Sequence, residues 1–343
     1  MRVLVAPDKF AGTLTARQAA EAIAAGWRRT SPGDQLTLLP MSDGGPGFVE
    51  VTGEHPDGHT IHLEAAQFAG LDRGLDPWNA STFELGLAVR EAATERRRVC
   101  VGLGGTRTMD GGAGFLAALG ATADVPLDAG PAGLRGITDV DLMPAKAWLA
   151  AVDLVGAADV DIPLLGLFGA TKTFGPQKGL EDDELLGVDK ILDEFVVATL
   201  GSSPAQRRLA DSPGAGAAGG LGFAFLALGG RIVRGVDLVA DVVGLNAACA
   251  SHDLVLTGEG TFDHTSRTGK VVYGVAQAAA AAARPCVVLA GQVTVGSREA
   301  RAMGIDAAYA AADAVGLDAS LAEPSDSLAR LAERAARTWS SRS

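Results

Sequence analysis

The stretch Arg2-Val3-Leu4-Val5-Ala6-Pro7-Asp8-Lys9-Phe10-Ala11-Gly12-Thr13-Leu14-Thr15, running on through Ala16 to Arg28, decides the fold. Val3–Val5 is an apolar run of strand length, and Asp8–Thr13 reads as a loop. Thr15–Arg28 reads as a helix. Thr15 with Gln18 forms a capping box, and Ala20, Ile23, Ala24 and Trp27 make one apolar stripe. Pro32-Gly33 ends that helix and Leu36–Leu39 begins the next strand. Strand, loop, helix, strand is the unit from which a parallel sheet with covered faces is built.

The same alternation continues outward. A second capping box, Ser81 with Glu84, opens a helix to about Ala93, and Val99–Leu103 is a strand. A long helix over about 181–200 is closed by Gly201. Strands are expected at Asp253–Thr257, Pro285–Ala290 and Asp306–Ala310, with helices at about Lys270–Ala283 and Ser325–Trp339. With 343 residues the chain exceeds what one core usually holds. Two α/β domains are expected: 1–75 with 240–343, formed by both chain ends, and 76–239 inserted between them.

Bulk properties narrow the partners. The formal charge of −12 argues against nucleic acid, whose phosphates need a basic face. The basic clusters Arg28–Arg29 and Arg96–Arg97–Arg98 fall at expected helix ends, where they complement the dipole and stay solvated. Cys100, Cys249 and Cys286 are widely spaced and odd in number, which suits a reducing cytosol. The N-terminus enters a strand at once and leaves no room for a signal peptide. The uncharged stretch from Ser212 to Gly230 is too glycine-rich for a membrane span. A soluble, cytoplasmic protein with a small-molecule substrate is expected, and a homodimer is left open.

Four loops that follow strands or precede helices are rich in glycine, most of them with acids. They cover 41–45, 102–112, 213–220 and 258–263. In open α/β sheets ligands bind beyond the carboxyl ends of the strands. Glycine there lets backbone N–H groups approach an anion, and carboxylates nearby can hold a divalent cation or orient a hydroxyl. Four such loops point to phosphate chemistry. No P-loop is present, since Gly269-Lys270 is followed by Val271. Gly214-x-Gly216-x-x-Gly219 matches a dinucleotide fingerprint, but the polar run 207–213 before it is no strand. His55, His59 and His62 beside Glu54 and Asp57 read as exposed, neutral histidines of a hairpin marked by Pro56 and Gly58. Phe174-Gly175-Pro176-Gln177-Lys178-Gly179 reads as a tight turn whose lysine is either solvated or set to neutralise phosphate.

Taken in order, Ala6–Thr15, Pro40–Gly45, Gly102–Gly114, Phe174–Gly179, Pro213–Gly222 and Thr257–Lys270 resemble the type I glycerate kinases over about the first 290 residues. The resemblance implies a two-domain α/β fold, a flavodoxin-like parallel-sheet domain plus an inserted α/β domain. It also implies ATP-dependent, Mg²⁺-assisted phosphorylation of a D-glycerate hydroxyl. Asp8, Lys9, Asp43, Asp110 and Lys178 are then the candidate catalytic residues. Gly104, Gly105, Gly111, Gly112, Gly214, Gly216, Gly219 and Lys270 are assigned to the nucleotide phosphates. Asp43, Gly44, Gly45 and Gln177 are assigned to the acceptor, and Asp110, Glu259 and Asp263 to the metal.

Departures from the family's pattern are equally specific. Ala11 stands where a Lys is usual, Pro46 for Glu, Met109 for Asn and Ile162 for the Asn of an Asn-Pro pair. Thr106 and Arg107 also differ, and Glu84 replaces a Gly. Polar types give way to apolar or bulky ones while the acids and glycines stay. That leaves three readings: a D-glycerate kinase, a kinase of the same fold turned to a polyol, cyclitol or sugar phosphate, or an inactive paralogue that binds a nucleotide or metabolite.

Overall fold

A computed structural model describes residues 1–55, 57–95, 97–264 and 270–340. Nine strands build its two main sheets: β1 Arg2–Val5, β2 Gln35–Leu38, β3 Thr60–Glu64, β4 Arg98–Gly102, β5 Asp153–Ala157, β6 Arg231–Val233, β7 Leu254–Thr257, β8 Cys286–Ala290 and β9 Ala307–Ala310.

The first unit comprises Met1–Asp43, Glu50–Thr52 and Val236–Ser343. Its sheet runs β9-β8-β7-β1-β2 with every pairing parallel. Numbered within this unit, that is the flavodoxin order, as expected. Val3 is registered with Leu36 on one side and Leu254 on the other, so β1 is flanked by strands and fully buried from Val3 to Val5. A strand covered on both faces must be apolar throughout, which explains the uninterrupted run. The helix Ala16–Thr30 begins at the expected box. Thr15 Oγ1 accepts from Gln18 N–H at 3.2 Å while Gln18 Oε1 accepts from Thr15 N–H at 2.9 Å. Its stripe of Ala20, Ile23, Ala24 and Trp27 is buried, and Trp27 Nε1 donates to Asp34 at 2.9 Å. The partner is the helix Pro324–Trp339, whose Leu328, Leu331 and Ala332 share this core.

The second unit comprises Gly44–Val49 and Gly53–Gly235. Its four strands follow chain order, β3-β4-β5-β6, again all parallel. Its core centres on Phe115 stacked on Phe225 (5.0 Å) and Phe195 edge-on to Phe223 (5.9 Å). The expected boundary at 75/76 therefore falls earlier, after Asp43. The cause is β3, which pairs with β4 along Thr60↔Arg98 to Glu64↔Gly102 and carries residues 60–64 into the second sheet. The chain returns to the first unit at Val236.

Several local readings change. His62 sits on parallel β3 opposite Cys100 and is buried, so the expected hairpin of exposed histidines is not formed. The ring's Nδ1 lies 3.2 Å from the Gly53 carbonyl, and burial pushes the pKa below the usual imidazole value. Segment 174–179 is the end of a helix, Ala170–Lys178, capped by left-handed Gly179. Ser81 Oγ accepts from Phe83 N–H rather than closing a box with Glu84. Arg98 lies in β4, paired with Asp153, not at a helix end. Pro56, Arg96 and Gly269 lie outside the described residues. Among the described residues no helix is long and apolar enough to cross a membrane.

Two glycines test the packing. A Cβ at Gly26 would run into the Ala329 backbone across the helix pair, whereas Gly187, in helix Leu185–Leu200, faces open space. Gly187→Ala should stabilise the protein by about 1 kcal/mol through helix propensity. Gly26→Ala gains the same propensity but forces the helices apart, and should be net destabilising by roughly 1–3 kcal/mol. Urea midpoints of the two variants check both signs.

Candidate active site

In the flavodoxin order the chain switches direction between β1 and β7, and the loops leaving those two strands flank a crevice. The loop after β1 carries Asp8, Lys9 and Phe10, and the loop after β7 carries Gly258, Glu259 and Gly260. Backbone bonds hold them in place. Asp8 N–H donates to the Gly258 carbonyl (2.8 Å), Thr257 Oγ1 donates to the Ala6 carbonyl (2.8 Å), and Met41 N–H donates to the Pro7 carbonyl (2.9 Å). The last of these brings in the 41–43 loop that follows β2.

Charges converge on this frame. Lys9 Nζ lies 2.9 Å from Asp43 Oδ1 and 3.8 Å from Asp8 Oδ1, bridging the two carboxylates. Asp8 also accepts from Lys9 N–H at 2.7 Å. Asp8 and Glu259 are buried. Burial, then repulsion from Asp43, pushes the Asp8 carboxyl up to about 7; Lys9 opposes that rise and Glu259 adds a little to it. Asp263 and Lys270 are half-buried nearby in sequence, Lys270 as the N-terminal flank of helix Val271–Ala281. Carboxylate oxygens of this kind suit Mg²⁺, which commonly takes one or two of them and completes its shell with water and phosphate oxygens. Among the described residues no group of three or more His, Cys, Asp or Glu is placed to hold a metal alone.

The second unit gathers its own set at the end of β4. Asp110 is fully buried and its carboxylate accepts four bonds: Thr82 N–H and Oγ1 (2.8 Å each), Gly112 N–H (3.0 Å) and Gly114 N–H (3.3 Å). Thr82 Oγ1 in turn accepts from Phe115 N–H at 2.8 Å. Asp110 thus ties the start of helix Phe83–Glu95 to the start of helix Ala113–Ala118. Burial raises its pKa and these bonds oppose the rise. With its oxygens so engaged, Asp110 holds the two helix starts together.

Lys178, only 3% exposed, donates from Nζ to the Thr106 carbonyl and to Thr106 Oγ1 (3.1 Å). Burial pushes its pKa down to about 7, and the Asp110 charge pulls the other way. Gln177, one residue earlier, is exposed. The glycine loops meet one another. Gly104 N–H donates to the Gly44 carbonyl (3.0 Å), Gly45 lies beside Gly104, and Gly111 N–H donates to the Gly219 carbonyl (3.0 Å). Gly219 is left-handed (φ 68°) and a Cβ on it would strike the Thr108 carbonyl. Gly105 and Gly112 are left-handed too, and Gly214 and Gly216 pack on Ile232 and Pro163. Much of this glycine content serves close backbone packing.

Sequence reasoning missed Thr82 and Thr106 as partners of Asp110 and Lys178. It also missed Glu64, which ends β3 and accepts from Gly47 N–H (3.0 Å), and Asp159, which accepts from Gly235 N–H (2.9 Å). An acid at a strand's carboxyl end is the signal that would have found the last two.

The sequence profile of the Glycerate kinase family matches residues 3–70 and 52–340, nearly the whole chain. The chain belongs to the glycerate kinase family. It is 35% identical to the glycerate kinase of Bacillus subtilis (90% of each chain covered) and 32% identical to the glycerate 2-kinase of Escherichia coli K12 (98% of each). An uncharacterized protein of Mycobacterium bovis is 37% identical, covering 98% of this chain and 91% of that one. A crystal structure of a Salmonella typhimurium LT2 protein provisionally assigned as glycerate kinase 2 superposes with a TM-score of 0.78 at 30% identity, over 98% of both chains. Membership supports a kinase, a phosphotransferase with an alcohol acceptor.

Within this family member the buried lysine has a measurable signature. A lysine whose folded pKa is about 7 and whose unfolded value is 10.5 binds fewer protons in the native state between those limits. Its contribution therefore makes stability rise with pH across that window, by at most about 1.4 kcal/mol per unit, and the gain is lost as pH falls through 7. Denaturation of Lys178→Met at pH 7 and pH 9.5 should show that rise removed relative to wild type.

Proposed function

We propose that the chain transfers the γ-phosphoryl group of ATP to a hydroxyl of D-glycerate. The observation that carries this reading is the Asp8–Lys9–Asp43 cluster at the switch point of the first unit's sheet, with its aspartate raised to about 7. A base titrating there is matched to a hydroxyl's proton at neutral pH. Relatives named as glycerate kinases lend the acceptor.

In the proposed step the Asp8 carboxylate takes the acceptor's O–H proton as that oxygen bonds to the γ-phosphorus. The bond from phosphorus to the bridging oxygen breaks, and ADP leaves. Lys9 holds Asp43 and Asp8 at set positions and offsets negative charge gathering beside them. Lys270, at the start of an 11-residue helix, is placed to meet phosphate with that helix's dipole behind it. Glu259 and Asp263 would hold Mg²⁺, which would supply charge neutralisation on the phosphate oxygens. An enzyme drawing on ATP works where ATP is abundant, in the cytoplasm.

The test is ADP release with ATP and Mg²⁺ on D-glycerate, related hydroxy acids, polyols and cyclitol phosphates. Turnover on D-glycerate above the ATPase background is expected, rising as pH passes about 7 and Asp8 ionises. Asp8→Asn should lower kcat by about 10²–10⁴ without lowering the unfolding midpoint. Silence on glycerate with turnover on a neutral polyol overturns the acceptor, and silence on every acceptor overturns the kinase reading.

A further inference from the structure

Beside the Asp8–Lys9 loop the first unit contains a cavity of about 90 Å³. At roughly 10–15 Å³ per water-sized group, it has room for about six. One wall is made by the site's own loops, through Phe10, Ala11 and Gly260. Ala11 is two residues from Lys9 and Gly260 is next to Glu259. A Cβ on Gly260 would lie 3.5 Å from Ala11 N, so the two loops touch at this wall. The opposite wall is apolar and comes from the C-terminal helices, where Leu317 and Leu321 are 43% and 55% exposed and Leu328 is buried.

Polar demand inside the cavity is low. Ser320 Oγ donates to the Leu317 carbonyl (2.7 Å), the Gly260 carbonyl accepts from Gln292 N–H (2.9 Å), and the Gly291 carbonyl accepts from Ala312 N–H (3.0 Å). Thr13 Oγ1 donates to the Phe10 carbonyl (2.9 Å), and the polar side chains left on the wall are those of Thr261 and Gln292. A space of this size, lined largely by carbon and walled by the loops that carry Lys9 and Glu259, suits a short hydrocarbon chain joined to a polar head.

We propose that this cavity is a specificity subsite for an alkyl substituent on the acceptor. The chain would then prefer 2,3-dihydroxy acids bearing a side chain of two to four carbons at C3 over unsubstituted glycerate. The inference rests on the proposed kinase reading and deepens it by naming the substrate class. Ala11 and Leu321, both exposed, set the width of the entrance.

The experiment uses the full chain and compares D-glycerate with its C3-ethyl, C3-propyl and C3-isobutyl homologues. Two measurements are made, ADP release and calorimetric binding of the acids without nucleotide. Wild type should gain about fourfold in kcat/KM, and in affinity, for each methylene that fits. Ala11→Trp and Leu321→Trp should remove at least tenfold of the gain for the propyl compound while leaving glycerate within twofold. Turnover on glycerate with no gain across the series overturns the subsite and keeps the kinase. A binding gain that Ala11→Trp abolishes, without turnover on any acid, keeps the subsite and overturns the kinase. Equal losses on every acid in both variants, or no gain in either measurement, overturn the subsite.

Discussion

Pairing of β1 with β7 is the constraint on which the first unit's chemistry depends. The two strands lie 251 residues apart across the Val3↔Leu254 contact, yet they are neighbours in one parallel sheet. No local propensity links such distant segments. The gain comes from burying Val3, Leu4, Val5, Leu254, Val255 and Leu256 together, all essentially inaccessible to water. Because parallel strands share a direction, their carboxyl ends emerge side by side. Asp8 and Glu259 are thereby set on adjacent loops, and a hydrogen bond from Asp8 N–H to the Gly258 carbonyl locks their spacing.

That placement is unfavourable for the charges themselves. Asp8 is taken out of water and lies near Asp43 and Glu259, and only Lys9 answers it among the influences on its pKa. Lys178 in the second unit is equally enclosed, and a carbonyl and a hydroxyl of Thr106 share its ammonium. Hydrophobic replacements at such sites often stabilise a protein, because desolvation outweighs the Coulomb gain. Asp110 presents a contrast. Its burial is answered by four donors, and its removal would free the starts of two helices at once. Burial shifts all three, Asp8 and Asp110 upward and Lys178 downward, and Asp110 is in addition built into the scaffold.

The first unit was legible in the sequence because its signals are local and strong. A capping box, an apolar stripe and an all-apolar strand each fall within one reach of 28 residues, and the structure keeps them within one or two positions. The second unit was less legible. β3 holds His62 and Glu64 among apolar residues, β5 carries Gly156 one residue before its end, and β6 has three residues. Those patterns read as turn and loop until the parallel partners are known. The same difficulty hid the burial of His62 and turned the helical end at 174–178 into an expected turn, since Gly175 and Pro176 are breakers in isolation. At the site, the acids and lysines could be named from loop position, whereas their partners could not. Thr82 and Thr106 carry no motif, and only the fold brings them to Asp110 and Lys178.

The departures from the family pattern acquire physical content once each is placed. Met109 is fully buried in the second unit's core, and Ile162 is half-buried with its carbonyl bound by Gly216 N–H at 3.0 Å. An amide at either position would need buried partners, so both apolar side chains serve packing. Pro46 is exposed on the loop before helix Phe48–Thr52, where a missing N–H is tolerated. Ala11 differs from these three. It is exposed, lines a cavity that the site's own loops enclose, and replaces no buried contact. A change that packing does not require, at the rim of an apolar space beside the Asp8–Lys9 loop, is the kind that alters which ligand fits. Of these departures, Ala11 is the one that bears on a larger, less polar acceptor, while Met109 and Ile162 are accounted for within the scaffold.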